Sequence, residues 1–252
     1  DESPPTIAKR FKAVGVESTE ATRREYRSII FSTPGLGDHI SGVILYDETL
    51  EQLSLEDVAI PKLLTNQGMV TGIKVDQGKG PLVNAPGDEI TYGLDGLAAR
   101  LEHYKAMGAR FAKWRDVFHI SDTLPSFQAI KSNAEVLARY AAVCQSMGIV
   151  PIVEPEVLID GNHTIERAAE ASEDVLLEVF KALHRHGVNL ECMVLKPSMV
   201  TPGKENPKAS PEEVATATLA VFRRAVPAAV PGIFFLSGGQ TPEEATINLN
   251  AM

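Results

Sequence analysis

Short apolar runs alternate with amphipathic stretches along the whole chain. Six of the runs are rich in β-branched residues and predict strands, whereas the stretches between them carry apolar positions at helical spacing. The predicted strands are residues 41–46, 70–76, 109–115, 148–154, 191–196 and 232–237, and the clearest predicted helices are residues 94–107, 134–147, 169–185 and 211–225.

Two helix starts carry particularly strong signals. Ser210 and Thr241 are each followed by the sequence Pro-Glu-Glu. A hydroxyl residue with a glutamate three positions later forms a capping box, and proline is favoured at the first helical position. We therefore expect helices to begin directly after both residues.

A strand followed by a helix, repeated about every 30 to 40 residues, is typical of βαβ units and of a parallel sheet. No strand is followed by the glycine fingerprint of a doubly wound nucleotide-binding sheet. Polar residues instead follow several strands, as in a (β/α)₈ TIM barrel, whose active site lies at the carboxyl ends of its strands. We predict an α/β protein of this class, with residues 1–252 forming part of one barrel domain. Because only six strands and the tail of an earlier one near Asp1 are recognised, one or two strands are expected outside these residues.

Composition and charge narrow the range of functions. The 252 residues are 44% hydrophobic and 23% charged, which is typical of a globular protein. Acidic residues outnumber basic ones by 33 to 24, so neither nucleic acid nor an anionic membrane surface is an expected partner. No apolar run is long enough to predict a membrane span. The two cysteines lie far apart, which argues against a disulfide framework and favours a reducing compartment.

Lys196 is the strongest candidate for a catalytic residue, because it lies in the apolar segment 193–200, where a lysine is unusual. Desolvation and a neighbouring cation such as Lys113 would lower its pKa and make it an amine nucleophile able to form a Schiff base with a ketone. The alternative is a lysine that extends from a strand end into solvent.

Three pairs of charged residues are spaced two apart on strands, so each pair shares one face of its strand. We expect that face to point into the barrel. Glu154 and Glu156 form one such pair; if they lie close together, one of them holds its proton and acts as a general acid and base. The alternative is an ion pair with Lys113 or Arg115. The other two pairs are Lys74 with Asp76 and Lys113 with Arg115.

Two segments are candidates for binding anions. The sequence Ser237-Gly238-Gly239 lies between a predicted strand and a capped helix, where glycines allow backbone N–H groups to approach a phosphate. The alternative interpretation of this segment is an ordinary turn. The second segment, at the amino terminus, brings hydroxyls and cations together in Ser3, Thr6, Lys9 and Arg10. Its alternative interpretation is an exposed helix cap.

No pattern in the sequence predicts a metal site. The six histidines do not cluster, and His184 and His186 point in different directions on a predicted helix. Cys144 on a predicted helix and Cys192 on a predicted strand are interpreted as small core residues.

Six motifs follow one another along the chain: Asp1–Ser3, Gly72–Asp76, Phe111–Arg115, Ile152–Glu156, Leu195–Met199 and Leu236–Gln240. Together and in this order, they resemble the class I, Schiff-base fructose-bisphosphate aldolases. The resemblance implies a (β/α)₈ barrel, a homotetramer, a sugar-phosphate substrate, a role in glycolysis and gluconeogenesis, and no metal or other cofactor.

The same resemblance implies roles for individual residues. Lys196 would form the Schiff base with the keto carbon of the substrate, and Glu154 would be the general acid and base. Asp1 would assist at the sugar hydroxyl where the carbon–carbon bond breaks, and Lys113 would stabilise Glu154 and the intermediates electrostatically. The implied contacts are Ser237, Gly238 and Gly239 for the 1-phosphate, and Ser3, Thr6, Arg10, Lys74 and Arg115 for the 6-phosphate end or the mouth of the site.

Two departures from the family limit this interpretation. Many members have Ser-Thr-Gly-Ser where this chain has Ser3-Pro4-Pro5-Thr6, and the two prolines stiffen the loop that carries the implied 6-phosphate contacts. The family's first strand and its carboxyl-terminal part, with a phosphate-binding arginine and a tyrosine tail, are also missing from these residues. We therefore expect activity from the full-length parent and little or none from residues 1–252 alone. Cytoplasm is the expected location, with a plastid as the alternative.

The sequence leaves two alternatives to the aldolase function. Another Schiff-base barrel enzyme, such as a transaldolase or a deoxyribose-phosphate aldolase, would share the strand lysine but lack this set of motifs. A non-catalytic homologue acting as a protein-binding scaffold would have no use for Lys196. A Lys196→Met variant distinguishes the enzyme from the scaffold, because it should abolish cleavage and leave scaffold binding intact.

Overall fold

The computed structural model describes all 252 residues, which form nine α-helices and seven β-strands. The strands are β1 (Gly42–Leu45), β2 (Val70–Lys74), β3 (Lys79–Pro81), β4 (Glu89–Thr91), β5 (Phe111–Phe118), β6 (Val150–Val157) and β7 (Val194–Leu195). The helices are α1 (Pro4–Ala13), α2 (Glu20–Phe31), α3 (Asp47–Glu51), α4 (Ile60–Asn66), α5 (Leu97–Ala106), α6 (Phe127–Ser146), α7 (Ile165–Arg185), α8 (Pro211–Ala225) and α9 (Pro242–Asn250).

Five strands form one sheet in the order β1-β2-β5-β6-β7. The pairs β1–β2, β2–β5 and β6–β7 are parallel, as expected when each strand returns through a helical crossover. An isolated parallel bridge between Leu195 and Ile233 extends the order beyond β7. The strands β3 and β4 form a separate antiparallel hairpin.

The chain groups into two compact units. The first unit consists of Asp1–Val75, Gly96–Lys113 and Met147–Ile149, and the second consists of Asp76–Asp95, Trp114–Ser146 and Val150–Met252. The strand β5 begins in the first unit and ends in the second.

The first unit contains α1 to α5, β1, β2 and the start of β5. Leu45 of β1 and Ile73 of β2 are partners in the strand register and are both fully buried. Helix α2 begins at a capping box, in which the Thr19 hydroxyl accepts from the Thr22 N–H and the Thr22 hydroxyl accepts from the Thr19 N–H. This cap fixes where α2 starts and so which of its side chains face the unit's interior.

The second unit has its core where α6 and α7 pack on each other and on β6. Leu137, Val153 and Val179 are fully buried, one from each of these elements. Trp114 of β5 is also fully buried, and its ring lies 5.5 Å from that of Tyr140 on α6. The side chains at alternate positions of β5 therefore serve this core, and those between them face the other way.

The predicted elements are largely found. Five of the six predicted strands are present, and the sixth is reduced to the bridge at Ile233, although Leu236 still donates its N–H to the Pro197 carbonyl. Helices α8 and α9 begin after Ser210 and Thr241, as their capping boxes predict. Helix α6 is longer than expected and begins at Phe127, and the β3–β4 hairpin was not predicted. None of the helices combines the length and the apolar character that crossing a membrane requires.

Candidate active site

Lys196 directly follows β7, and its backbone N–H donates to the Val153 carbonyl over 2.8 Å. This backbone bond aligns the lysine with the adjacent position of β6, which is Glu154. The Lys196 Nζ donates to the Glu154 carboxylate, and the two side chains are 22% and 5% exposed. A lysine and a carboxylate in this arrangement can exchange a proton while remaining largely shielded from water.

Glu156 forms an ion pair with Arg115, whose Nε donates to its carboxylate. This is the pairing that the sequence left open as an alternative. Burial alone would lower the pKa of Arg115, but Glu156, Glu154 and Asp76 raise it above its ordinary value. Arg115 is therefore a permanently cationic group beside the two glutamates.

The segment Ser237-Gly238-Gly239 forms a tight turn ahead of α9. The Gln240 N–H donates to the Ser237 carbonyl over 3.0 Å, and both glycines adopt left-handed φ angles of 58° and 86°. A Cβ atom on Gly239 would lie 3.0 Å from Ile159 Cγ2. A cavity of about 410 Å³ adjoins the turn, with Gly239 and Gln240 in its wall. The turn conformation thus requires glycine at both positions.

The first unit holds Asp1 and Lys113. The Asp1 carboxylate accepts from Arg27 Nε at 3.2 Å and from the Tyr46 N–H at 2.9 Å, and it also accepts from the Thr49 hydroxyl. Lys113 is buried in β5, opposite Lys74 of β2 in the strand register. The Lys74 ammonium lies 6.0 Å from the centre of the Tyr46 ring.

The remaining predicted anion contacts lie at the start of α1 in the first unit. The Ser3 and Thr6 hydroxyls are 3.1 Å apart and share one hydrogen bond. Arg10 Nη2 donates to Glu2 at 2.7 Å, with the two side chains 60% and 40% exposed. Arg10 is therefore engaged by a surface carboxylate, an interaction that contributes little and exchanges easily.

The structure brings Lys196 together with Glu154 in the second unit, and Asp1 together with Arg27, the Tyr46 N–H and Thr49 in the first. None of these three donors to Asp1 was predicted from the sequence. The available signal was the pair of arginines at positions 23 and 27, four apart and so on one face of α2, together with the polar segment after β1.

The two cysteines, both predicted to be core residues, differ in burial. Cys144 is buried, and burial raises the pKa of its thiol to about 12. Cys192, predicted as a core residue on a strand, is instead exposed and lies in a short 3₁₀ turn before β7. This prediction was wrong because the strand begins only at Val194. No group of three or more His, Cys, Asp or Glu side chains is placed to hold a metal ion.

Comparison with a solved structure defines the fold class of this chain. A solved structure of fructose-bisphosphate aldolase from Plasmodium falciparum, in complex with TRAP and a small molecule inhibitor, matches this chain with a TM-score of 0.98. The match covers 100% of this chain and 73% of that one at 48% identity. The parallel α/β fold is therefore that of the (β/α)₈-barrel class, as the sequence predicts.

The family follows from the sequence comparisons. The family model for glycolytic fructose-bisphosphate aldolase class I matches residues 1–252. A probable fructose-bisphosphate aldolase class 1 from Xylella fastidiosa is 52% identical over 253 residues, covering 100% of this chain and 76% of the relative. A cytosolic fructose-bisphosphate aldolase from Arabidopsis thaliana is 52% identical over 252 residues, covering 100% of this chain and 70% of the relative. The chain belongs to the class I fructose-bisphosphate aldolase family.

Proposed function

We propose that this protein catalyses the reversible aldol cleavage of fructose 1,6-bisphosphate to dihydroxyacetone phosphate and glyceraldehyde 3-phosphate, in glycolysis and gluconeogenesis. The observation that carries the proposal is the hydrogen bond from Lys196 to the shielded Glu154 carboxylate at the end of parallel strands. Family membership supports the choice of substrate.

The first chemical step joins Lys196 to the substrate. Glu154 takes a proton from the Lys196 ammonium, and the neutral amine attacks the keto carbon to give a carbinolamine. Glu154 then returns the proton to the carbinolamine hydroxyl, which leaves as water, and a protonated imine remains. One carboxylate thus serves as base and as acid in succession.

The second step breaks the carbon–carbon bond. Asp1 takes the proton of the adjacent sugar hydroxyl, the bonding electron pair moves into the imine to give an enamine, and glyceraldehyde 3-phosphate leaves. One proton then adds to the enamine carbon, which balances the proton that Asp1 took up and releases, and hydrolysis of the imine by one water frees dihydroxyacetone phosphate and regenerates Lys196. We assign Lys113 the electrostatic stabilisation of these intermediates, on the family resemblance.

The phosphate contacts are assigned in the same way. The glycine turn is the proposed 1-phosphate site, because its two glycines carry no side chain that would keep a phosphate from the backbone N–H groups. The 6-phosphate end is assigned to cations and hydroxyls that carry the positive or donor character it needs. The residues are Ser237, Gly238 and Gly239 for the first, and Ser3, Thr6, Arg10, Lys74 and Arg115 for the second.

Four further properties complete the proposal. A cytoplasmic location is supported by the cytosolic relative. A reaction without a metal is supported by the Schiff-base chemistry, and a chelator should leave the cleavage rate unchanged. The homotetramer and the assignment of residues 1–252 to part of a single barrel domain rest on the family resemblance, and sedimentation of the purified protein tests the first of these.

The decisive experiment is borohydride trapping with dihydroxyacetone phosphate, followed by peptide mass mapping. Reduction of an imine fixes the sugar phosphate on the nucleophile, so we expect one adduct on the peptide carrying Lys196. Lys196→Met should lose both the adduct and cleavage, whereas Lys181→Met, on the exposed side of α7, should keep both. An adduct on Lys74 or Lys113 would overturn the assigned mechanism, and no adduct in a folded protein would favour the scaffold function.

A further inference from the structure

Asp1 is held from three directions within the first unit. Arg27 from α2, the Tyr46 backbone after β1 and Thr49 from α3 all donate to its two carboxylate oxygens. The Asp1 side chain is only 2% exposed. Three donors hold this shielded carboxylate in one orientation. An ionised carboxylate oxygen can accept the proton of a sugar hydroxyl.

Arg27 is itself buried and is held by several acceptors. Its side chain is 1% exposed, and its guanidinium donates to Asp1, to Glu48 and to Gln52, the last at 3.0 Å. A further hydrogen bond of 3.2 Å reaches the Glu2 carbonyl. The guanidinium thus holds the Asp1 side chain and the backbone beside it at the same time. A lysine ammonium is a single point of charge and lacks the fork of donors that this requires.

The charges along this network alternate. Glu48 lies between Arg27 and Arg23, and Arg23 Nε donates to Glu48 at 2.9 Å while Nη2 bonds its second oxygen. Desolvation offsets much of the attraction in shielded ion pairs, but removing one partner is costly because it leaves the other charge unpaired. Each charged group in this network therefore holds its neighbours in place.

We propose that Arg27 is a positioning residue that holds the Asp1 carboxylate for proton transfer in the cleavage step, with Thr49 as its second support. This proposal rests on the proposed function, in particular on the role of Asp1. It assigns these residues to the breaking of the carbon–carbon bond and not to imine formation, because both donate to Asp1, which the proposed mechanism uses only in the cleavage step.

The test compares two arginines on the same helix. Arg27→Lys keeps the charge but removes the guanidinium fork, and we expect the kcat for fructose 1,6-bisphosphate cleavage to fall on the order of tenfold to a hundredfold. Borohydride trapping of dihydroxyacetone phosphate on Lys196 should stay within about twofold of the parent, since imine formation does not use Asp1. Arg24→Lys is the matched control, because Arg24 bonds the 53–57 loop and is expected to keep both activities.

Thr49 supplies a second, gentler test. Thr49→Val removes the hydroxyl donor at nearly constant volume and should lower the kcat of cleavage, whereas Thr49→Ser should restore it. Parent-like cleavage by folded Arg27→Lys and Thr49→Val would overturn the proposal. So would an equal loss of cleavage and trapping, which would mark a general structural role. Failure of the parent protein to trap on Lys196 would instead contradict the proposed function.

Discussion

Lys196 directly follows β7, Glu154 lies on the adjacent parallel strand β6, and the lysine Nζ donates directly to the carboxylate. The backbone bond from the Lys196 N–H to the Val153 carbonyl sets this pairing, so a shift in strand register would separate the two groups. The proton transfers assigned to Glu154 thus depend on an interaction between two strands.

Glu154→Gln keeps the shape of the side chain and its hydrogen bond with Lys196 but removes the ability to transfer a proton. We expect the kcat of cleavage to fall by about 10²-fold to 10⁴-fold, the usual contribution of a general acid and base. Stopped-flow and steady-state assays measure this directly. Glu135→Gln is the control, because Glu135 bonds only the surface residues Arg185 and His186. A kcat within threefold of the parent would remove Glu154 from the mechanism.

Gly239→Ala tests the proposed phosphate turn. The new methyl group would meet Ile159 at a left-handed φ of 86°, so the turn must shift. We expect a KM for fructose 1,6-bisphosphate raised about tenfold, roughly the effect of losing one hydrogen bond to a charged group.

The matched control is Gly187→Ala. Gly187 has a φ of 65°, and a Cβ there meets nothing within 4 Å, so this variant carries the left-handed strain without the contact. It should destabilise the protein by about 1 kcal/mol and leave the KM unchanged. Equal KM values for both alanine variants and the parent would rule out the turn as a phosphate site.

The sequence predicted the strands and their polar ends because both depend on local patterns. Alternation placed Lys113 and Arg115 on one face of β5, and the capping boxes placed the starts of α8 and α9. These signals lie within a few residues of each other, and no tertiary contact is needed to read them.

The partners of Asp1 could not be predicted in this way. Arg27 and Thr49 are 26 and 48 positions away along the chain, and only the folded first unit brings them to the carboxylate. The β3–β4 hairpin was missed for another reason. Its strands are three residues long and lie in a segment rich in glycine and proline, so their stability comes from packing and not from local pattern.

Trp114 shows what the opposite face of β5 contributes. Its indole Nε1 donates to Asp116 at 2.9 Å, and both side chains are fully buried. Trp114→Phe removes this donor and leaves a cavity, so we expect the free energy of unfolding to fall by about 2–4 kcal/mol. Asp116→Asn keeps an accepting oxygen and should cost less. Because Trp114 is the only tryptophan, urea unfolding is followed by circular dichroism; equal stability of Trp114→Phe and the parent would contradict the prediction.

Glu48 links the stability of the first unit to pH. Hydrogen bonds from Arg23, helped by Arg27 and opposed by burial, hold the pKa of Glu48 below its ordinary value of 4.5. A carboxyl whose pKa is lowered by folding contributes stability above its unfolded pKa and loses it as the pH falls through the folded value. Glu48→Gln should therefore be less stable than the parent at pH 7, by about 1–3 kcal/mol, with the difference shrinking as the pH falls below about 4.5. Urea unfolding of both proteins between pH 7 and pH 3 measures the difference, with Glu25→Gln on the exposed side of α2 as the control. A difference that stays constant over this range would show that the charge of Glu48 does not stabilise the fold.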